Sequence, residues 1–402
     1  MDPAYASTHR VALITGVLDL GGTTTFLCNL GGELTRRGVP TCVLSFERNN
    51  PLAHDFSRLG IPVFTSDETR LIYEDRLELI LQQLRKFHPT VAVANLSATS
   101  FEVLRYVPPG VFRVGTAQSH DPGVYRLLRK YAGQVDVMAA VSRTIEETLR
   151  SLPEFSGTAV RYQPYGVALP QHERSRAGDG KQPLRIVYLG RLQREQKRVQ
   201  LFPEILAQLR ASSMPFHWTI AGDGPEREAL QRTMEVTTGA QTVSFPGKVL
   251  YDDVPRLLSG HDIFLLASDY EGLPLSLLEG MGQGLVPVVS DLPSGIREVV
   301  DESTGKLVAP DQVEGYAQAI VALGRNRTEL ASLSHASRER VQTRFSVSAM
   351  ADRWLAMLPA TPPPPPAWPT RWKIQPIIDA RRKWWFSPPA RYIRRFRLRR
   401  RR

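Results

Sequence analysis

Short β-branched runs alternate with amphipathic segments along this chain, and the alternation passes through two successive series. That pattern leaves few folds open. Parallel strands need long crossovers, and helices serve as those crossovers, so the product is a sheet covered on both faces. The first series of strands is "RVALIT", "PTCVLS", "IPVFT", "TVAVAN", "FRVGTA" and "DVMAAVS". Between Phe26 and Arg37 the spacing of Phe26, Leu27, Leu30 and Leu34 predicts a helix, which Gly38 ends. A polar, turn-rich stretch, "QHERSRAGDGKQP", reads as a linker. The second series follows: "LRIVYLG", "HWTIAGDG", "VSFPG", "DIFLLAS" and "LVPVVS". A last amphipathic segment, "SVSAMADRWLAMLP", predicts a helix that closes the globular part near Pro359.

The expected architecture is therefore α/β, with two Rossmann-like doubly wound domains of similar size facing a cleft. Residues 1–170 form the first domain, 171–183 the linker, 184–344 the second domain and 345–359 the closing helix. Residues 360–402 are a Pro-rich, basic and aromatic tail. In doubly wound sheets, ligands bind outside the carboxyl ends of the strands, so every loop after a strand is a candidate site.

Charge separates the tail from the body. The chain carries 51 Lys and Arg against 40 Asp and Glu. From Arg371 to Arg402 there are 13 bases and one acid, Asp379, which leaves 38 bases and 39 acids for residues 1–370. The body is close to neutral. Two cysteines, Cys28 and Cys42, lack metal-ligand spacing and read as buried free thiols, which suits a reducing compartment. The opening "MDPAYASTHR" lacks the features of a signal peptide, and no apolar run approaches the length of a membrane span. The expectation is a cytoplasmic protein, peripheral to the inner face of a membrane.

One stretch poses a chemical question. In "EGLPLSLLEGMGQG", Glu271 and Glu279 flank an apolar run that looks made for burial. Buried charges are costly unless something pairs with them. The strand "IFLLAS" ends just before, Gly272 lets backbone approach a ligand, and Pro274 suits the first position of a helix. A helix start offers unpaired N–H groups and a positive dipole end, which together hold an anion. Two acids beside such a site do not bind phosphate themselves; they accept hydrogen bonds from hydroxyls. A ligand with phosphates in its middle and hydroxyls at both ends fits, as in a sugar nucleotide. The alternative is that Glu271 serves the helix dipole and Glu279 is a solvated helix residue. Nearby, "RLQREQKRV" places Arg191 and Lys197 after another strand, where a guanidinium grips a diphosphate bidentately and an ammonium adds a point charge. The turn after "WTIAG" adds Gly224, and "FPGKV" brings Lys248 and Val249 to where they edge a base.

These pieces stand in an order that resembles the retaining GT-B glycosyltransferases of glycosyltransferase family 4. The matching stretches are "YLGRLQREQKRV", "IAGDGPE", "VSFPGKV", "LLASDYEGLPLSLLEGMGQGLVPVVSD" and "GKLV", with "GVLDLGGTTTFLCNLGGELTRRG", "SHD" and "AAVS" in the first half. The likeness covers roughly residues 9 to 359. It implies a hexosyl- or glycosyltransferase that moves a sugar from a nucleotide-diphosphate sugar to a glycan or lipid-linked acceptor, with retention, in making cell-surface polysaccharide or glycolipid. By the same resemblance, Glu279 accepts from the ribose and Glu271 faces the sugar hydroxyls. Arg191 and Lys197 hold the leaving diphosphate, and His120 lines the cleft near the anomeric carbon. Gly21, Gly22, Gly190, Gly224, Lys248, Val249, Gly272, Leu273, Pro274 and Leu275 complete the donor-binding set. There is no Asp-x-Asp pair, so no metal or other cofactor is expected, and the positive charge comes from side chains and dipoles.

Two positions depart from the family pattern: Arg198 replaces a small residue after the diphosphate-binding lysine, and Tyr165 stands before Gly166 where Asn is common. The tail, with "RRKWWF" and "RYIRRFRLRRRR", mixes Arg with aromatic and aliphatic residues. That composition suits an anionic membrane surface. Nucleic acid is the lesser candidate, through stacking with basic residues. The contrasting reading of the whole chain is a non-catalytic GT-B protein that works by interaction, its tail binding a polyanion.

Overall fold

The computed structural model describes residues 9–19, 21–45, 50–65, 72–170, 182–238, 242–362 and 366–375. Most of the linker and the basic tail beyond Gln375 lie outside these residues, so the readings placed there have no structural counterpart.

The first domain is built on seven parallel strands: β1 (Val11–Thr15), β2 (Thr41–Ser45), β3 (Val63–Thr65), β4 (Val91–Ala94), β5 (Phe112–Ala117), β6 (Val137–Ala140) and β7 (Ala159–Tyr162). Their order across the sheet is β3-β2-β1-β4-β5-β6-β7. Between them run α1 (Gly22–Arg36), α2 (Ala53–Arg58), α3 (Tyr73–Phe87), α4 (Ala98–Leu104), α5 (Pro122–Tyr131) and α6 (Arg143–Ser151). Phe26, Leu27, Leu30 and Leu34 all lie on the buried side of α1, as their spacing predicts. Cys28 and Cys42 are free and buried, and burial pushes the Cys28 thiol up to about 12.

The second domain has six parallel strands: β8 (Leu184–Leu189), β9 (Phe216–Ala221), β10 (Val243–Gly247), β11 (Ile263–Leu266), β12 (Val286–Ser290) and β13 (Lys306–Val308). Their order is β10-β9-β8-β11-β12-β13. The helices are α7 (Phe202–Ala211), α8 (Arg227–Thr238), α9 (Val254–Ser259), α10 (Leu275–Gly282), α11 (Ile296–Val299), α12 (Val313–Arg325), α13 (Arg327–Arg344) and α14 (Val347–Met357). Central strands β4, β6 and β11 are buried along their whole length, which explains their unbroken apolar sequences. Two strands escaped the sequence reading, β7 and β13. Both are short edge strands with polar or exposed positions, so neither carries the apolar run that marks a central strand.

The order of each sheet reverses once, between β1 and β4 and between β8 and β11. At such a switch point the following connections leave on opposite faces, and a crevice opens at the strand ends. The crevice of the second sheet is bounded by the loops after β8 and β11, which carry Arg191, Lys197, Glu271 and Gly272.

The last helix, α14, returns to the first domain. Arg37, just past the end of α1, donates to Asp352 at 2.6 Å, and the Trp354 ring lies 6.0 Å from Phe26. Tyr165 is buried beside the same Phe26 ring, 5.2 Å away, so the large residue at this crossover fills core. The globular part also extends past the expected end near Pro359. Ile374 is buried, Trp368 and Trp372 pack against the core, and Tyr106 accepts from the Gln375 amide at 2.9 Å. Arg105 donates to the Gln375 carbonyl at 2.9 Å. Among the described residues, no helix is long and apolar enough to cross a membrane.

Candidate active site at the domain interface

The loops after β8 and β11 meet through one carboxylate. Glu271 Oε1 accepts from Lys197 Nζ at 2.5 Å and from Ser268 Oγ at 2.7 Å. Its Oε2 accepts from Gln196 Nε2 at 3.3 Å. The pair is well enclosed, with the Glu271 side chain 6% and the Lys197 side chain 14% exposed. Sequence reasoning gave the two residues separate tasks. In the structure they hold each other, because a carboxylate this deep needs a compensating charge. Gln196 and Ser268 were missed; neither has a spacing or pattern that marks it.

Helix α10 starts at Leu275. Pro274, expected as its first residue, is instead the N-cap, with an extended ψ of 116°. The N–H groups at the helix start therefore open next to Gly272 and Leu273. Gly272 is where the domains touch: a Cβ there would lie 2.4 Å from the Gln118 carbonyl oxygen. Only a glycine admits that approach. Across the same gap, a Cβ on Gly22 would meet Leu275 at 3.6 Å, an ordinary contact. Gly21 and Gly22 are exposed, at the start of α1. Thr23 donates to the Gln118 side chain at 3.0 Å, so the start of α1 and the loop after β5 approach α10 together.

Glu279 sits one turn into α10 with part of its surface open. Burial pushes its carboxyl up to about 8. The apolar residues around Glu279 do pack the helix onto the sheet: Leu277 and Leu278 before it and Met281 after it are buried, and Gly280 lies against Phe264.

Arg191 is exposed at the mouth of the crevice. Its carbonyl accepts from the Tyr188 hydroxyl at 2.7 Å, which fixes the backbone, while among the described residues its guanidinium reaches only Gln193, at 3.4 Å. The side chain is thus poorly committed within the protein. Arg198 has a left-handed backbone, φ 49°. A side chain costs about 1 kcal/mol in this region. Its guanidinium turns away from Lys197 to donate to the Pro310 carbonyl at 2.8 Å, with Asp269 at 3.6 Å.

The remaining residues are more dispersed. Gly190 and Gly224 serve the packing of neighbouring loops: a Cβ on Gly224, whose φ is +158°, would lie 2.2 Å from the Leu192 carbonyl oxygen. Lys248 is exposed and pairs with Asp223 at 3.4 Å, with the half-buried Val249 next to it. His120 follows β5, two residues after the Gln118 that touches Gly272. Burial lowers its pKa, so the imidazole is neutral near pH 7. Among the described residues, no group of three His, Cys, Asp or Glu is placed to hold a metal ion.

The chain was compared with known proteins. Residues 20–169 match the model described as Glycosyltransferase Family 4, and residues 183–326 match Glycosyl transferases group 1. The WcaL protein of Escherichia coli, named for colanic acid biosynthesis, is 34% identical over 184 residues, 44% of this chain and 45% of that one. A GDP-mannose-dependent monoacylated alpha-(1-6)-phosphatidylinositol monomannoside mannosyltransferase of Corynebacterium glutamicum is 26% identical over 260 residues, 60% of this chain and 66% of that one. The alignments thus span about half to two thirds of these curated relatives. Among solved structures, sucrose-phosphate synthase from Thermosynechococcus elongatus superposes with a TM-score of 0.71 at 20% identity, covering 86% of this chain and 97% of that one. HepE of Anabaena in complex with UDP gives 0.68 at 15% identity, covering 86% and 98%. These likenesses fix the fold as GT-B, two Rossmann-like domains about a cleft. With the first half matching Glycosyltransferase Family 4 and the second half Glycosyl transferases group 1, the chain belongs to the GT-B glycosyltransferases.

Proposed function

We propose that the chain transfers a sugar from a nucleoside-diphosphate sugar to a glycan or lipid-linked acceptor, with retention of anomeric configuration, in the synthesis of a cell-surface polysaccharide or glycolipid. The observation that carries this is the switch-point crevice of the second sheet. There Arg191 and Lys197 lie on the loop after β8, and the loop after β11 leads into the start of α10, with the raised carboxyl of Glu279 one turn into that helix. Diphosphate suits the helix start and the two cations. A ribose suits Glu279, which accepts from both hydroxyls once its carboxyl gives up the proton that burial holds on it near pH 7.

In the transfer, the bond from the anomeric carbon to the β-phosphate oxygen breaks. The acceptor oxygen bonds to that carbon from the same face, and the acceptor proton passes to the departing diphosphate. Arg191 and Lys197 stabilise the charge that develops on the leaving group, a preorganised electrostatic effect commonly worth about 3–4 kcal/mol per contact. Glu271 holds Lys197 in place.

The relatives include proteins named for colanic acid biosynthesis and for a phosphatidylinositol monomannoside mannosyltransferase, which supports a glycan or glycolipid acceptor. UDP in one structural relative and GDP-mannose in a sequence relative leave both bases in the screen. The basic tail is proposed to bring the enzyme to an anionic membrane. The deciding experiment is a panel of UDP-, GDP- and ADP-sugars monitored for nucleoside-diphosphate release, with Arg191→Ala and Glu279→Ala as controls and chelator added to test independence from metal. Absence of binding and turnover with every donor, in the presence of lipid-linked and glycan acceptors, defeats the reading. The anomeric configuration of the product tests retention separately.

A further inference from the structure

We propose that Asn29 is a positioning residue that sets how far the second domain closes over the first, by joining Tyr251 of the second domain to the chain crossing at Gly166. The inference rests on the proposed transfer only for its kinetic arm; its central claim concerns the arrangement of the domains and is testable without turnover.

Asn29 lies in the middle of α1, 6% exposed, on the side that carries Phe26 and Leu30 into the core. An amide buried there is costly without hydrogen-bond partners. Its partners come from outside the helix: Nδ2 donates to the Gly166 carbonyl at 2.8 Å, and Oδ1 accepts from the Tyr251 hydroxyl. Chemistry fixes the direction. A carbonyl only accepts, so the amide nitrogen faces Gly166, and the amide oxygen is left for Tyr251, which must donate.

Gly166 marks the pivot. The chain leaves the first domain there and returns beside it, with the Val167 amide donating to the Phe345 carbonyl at 2.9 Å and the Val347 amide to the Val167 carbonyl at 3.1 Å. A Cβ on Gly166 would lie 2.5 Å from the Ser346 carbonyl oxygen, so the two crossings are in direct contact. Tyr251 belongs to the opposite lobe, in the turn between Val249 and α9. One side chain thus touches the pivot and the lobe that swings on it.

A second contact crosses the same rim: Arg58 of α2 pairs with Asp252 at 2.6 Å, but the two side chains are 56% and 57% exposed. Exposed pairs of this kind contribute little. The Tyr251 bond is different, because losing its donor leaves the buried Asn29 oxygen unpaired in the closed form. The same helix carries Gly22 at its start, where a Cβ would meet Leu275 of α10 at 3.6 Å. Setting Asn29 against Tyr251 therefore sets the start of α1 against the start of α10, where the donor is proposed to react.

The test is the distance between spin labels in the ligand-free chain, carried by Ser57→Cys on α2 and Gln208→Cys on α7, both exposed positions, while the native thiols are buried. Tyr251→Phe and Asn29→Leu should each shift the distribution to longer distances by several ångströms. The double variant should open no further than the more open single one, since both act through one bond. Arg58→Ala should match the parent. With a donor that turns over, Tyr251→Phe should lower kcat about tenfold and leave the donor KM within about twofold, because the donor loops are untouched and only the closed arrangement reacts. Parent-like distances in Tyr251→Phe, additive opening in the double variant, or an Arg58→Ala chain as open as Tyr251→Phe overturns the assignment. Should Asn29→Leu fail to fold, Tyr251→Phe, which removes one hydroxyl from a half-buried ring, carries the test. Longer distances with unchanged kcat overturn the positioning role. If no donor supports turnover and the distances behave as stated, the functional reading falls while the closure assignment stands.

Discussion

Lys197 Nζ lies 2.5 Å from Glu271 Oε1, and this contact ties the loop after β8 to the loop after β11 at the switch point of the second sheet. The ammonium that faces the proposed diphosphate is therefore positioned by a carboxylate that has little freedom to do anything else, since Ser268 and Gln196 occupy its remaining directions. Removing the charge of one partner leaves the other enclosed and uncompensated. Glu271→Gln should cost about 2 kcal/mol in urea unfolding, below the full cost of a buried pair because Lys197 keeps some exposure. It should weaken nucleoside-diphosphate binding as well. The double variant Lys197→Met with Glu271→Leu should regain part of the stability and none of the binding. A Glu271→Gln protein as stable as the parent would show that the pair is not structural.

Gly272→Ala tests the domain contact. The added methyl would lie 2.4 Å from the Gln118 carbonyl oxygen, and both sides of that clash are backbone. The loop has little room to withdraw, because the Gly272 carbonyl accepts from the Gly295 amide at 2.7 Å. Each domain keeps its own core, so the expected outcome is two folded domains held further apart. Small-angle scattering should show a larger radius of gyration, and sugar transfer should fall by at least about tenfold, since a displacement near 1 Å already costs that much in many enzymes. Unchanged scattering and rate would mean that the contact does not constrain the closed arrangement.

How far the sequence carried the argument follows from what periodicity can encode. Central strands and α1 were legible because burial on fixed faces leaves an apolar record, as at Phe26, Leu27, Leu30 and Leu34. Edge strands β7 and β13 leave none. The switch-point loops were found through their glycines and cations, yet the partner of Glu271 was not, since residues 74 apart in sequence are joined only by the order of the strands. Pro274 was misplaced by one position because its fixed φ suits both the N-cap and the first helical turn. His120 came through resemblance; its contact with Tyr125, 2.9 Å from Nδ1, left no mark in the sequence.

Glu279 gives a pH signature. Burial raises its folded-state pKa from the usual carboxylate value of 4.5 to about 8. Between those values the folded chain holds a proton that the unfolded chain has lost, so stability falls as pH rises through the window and levels off above it. Other groups titrate too: burial also raises Glu298, in the same direction, while the lowered pKa values of His9, His120 and His261 make stability rise with pH toward 6.5. The contribution of Glu279 is isolated by difference. Glu279→Gln, which mimics the neutral acid, should unfold at nearly the same temperature as the parent at pH 5 and at a higher temperature at pH 8.5. A constant difference in Tm across that range would mean that the carboxyl titrates normally in the fold.

Two truncations separate the strap from the tail. Residues 366–375 lie along the first domain, where Arg85 donates to the Pro369 carbonyl at 3.4 Å, Arg105 and Tyr106 hold Gln375, and Ile374 is buried. Residues 376–402 carry 11 of the 13 bases counted from Arg371 onward. A chain ending at Gln375 should keep the Tm of the full protein and lose flotation with anionic vesicles, if those bases do meet lipid head groups. A chain ending at Pro359 loses the packed Trp368, Trp372 and Ile374 as well. Partial burial of three large side chains contributes about 2–4 kcal/mol, so this shorter chain should melt several degrees lower. Equal melting of the two truncated chains would show that the strap adds no stability, and equal flotation of the full chain and the chain ending at Gln375 would remove the membrane role of the tail.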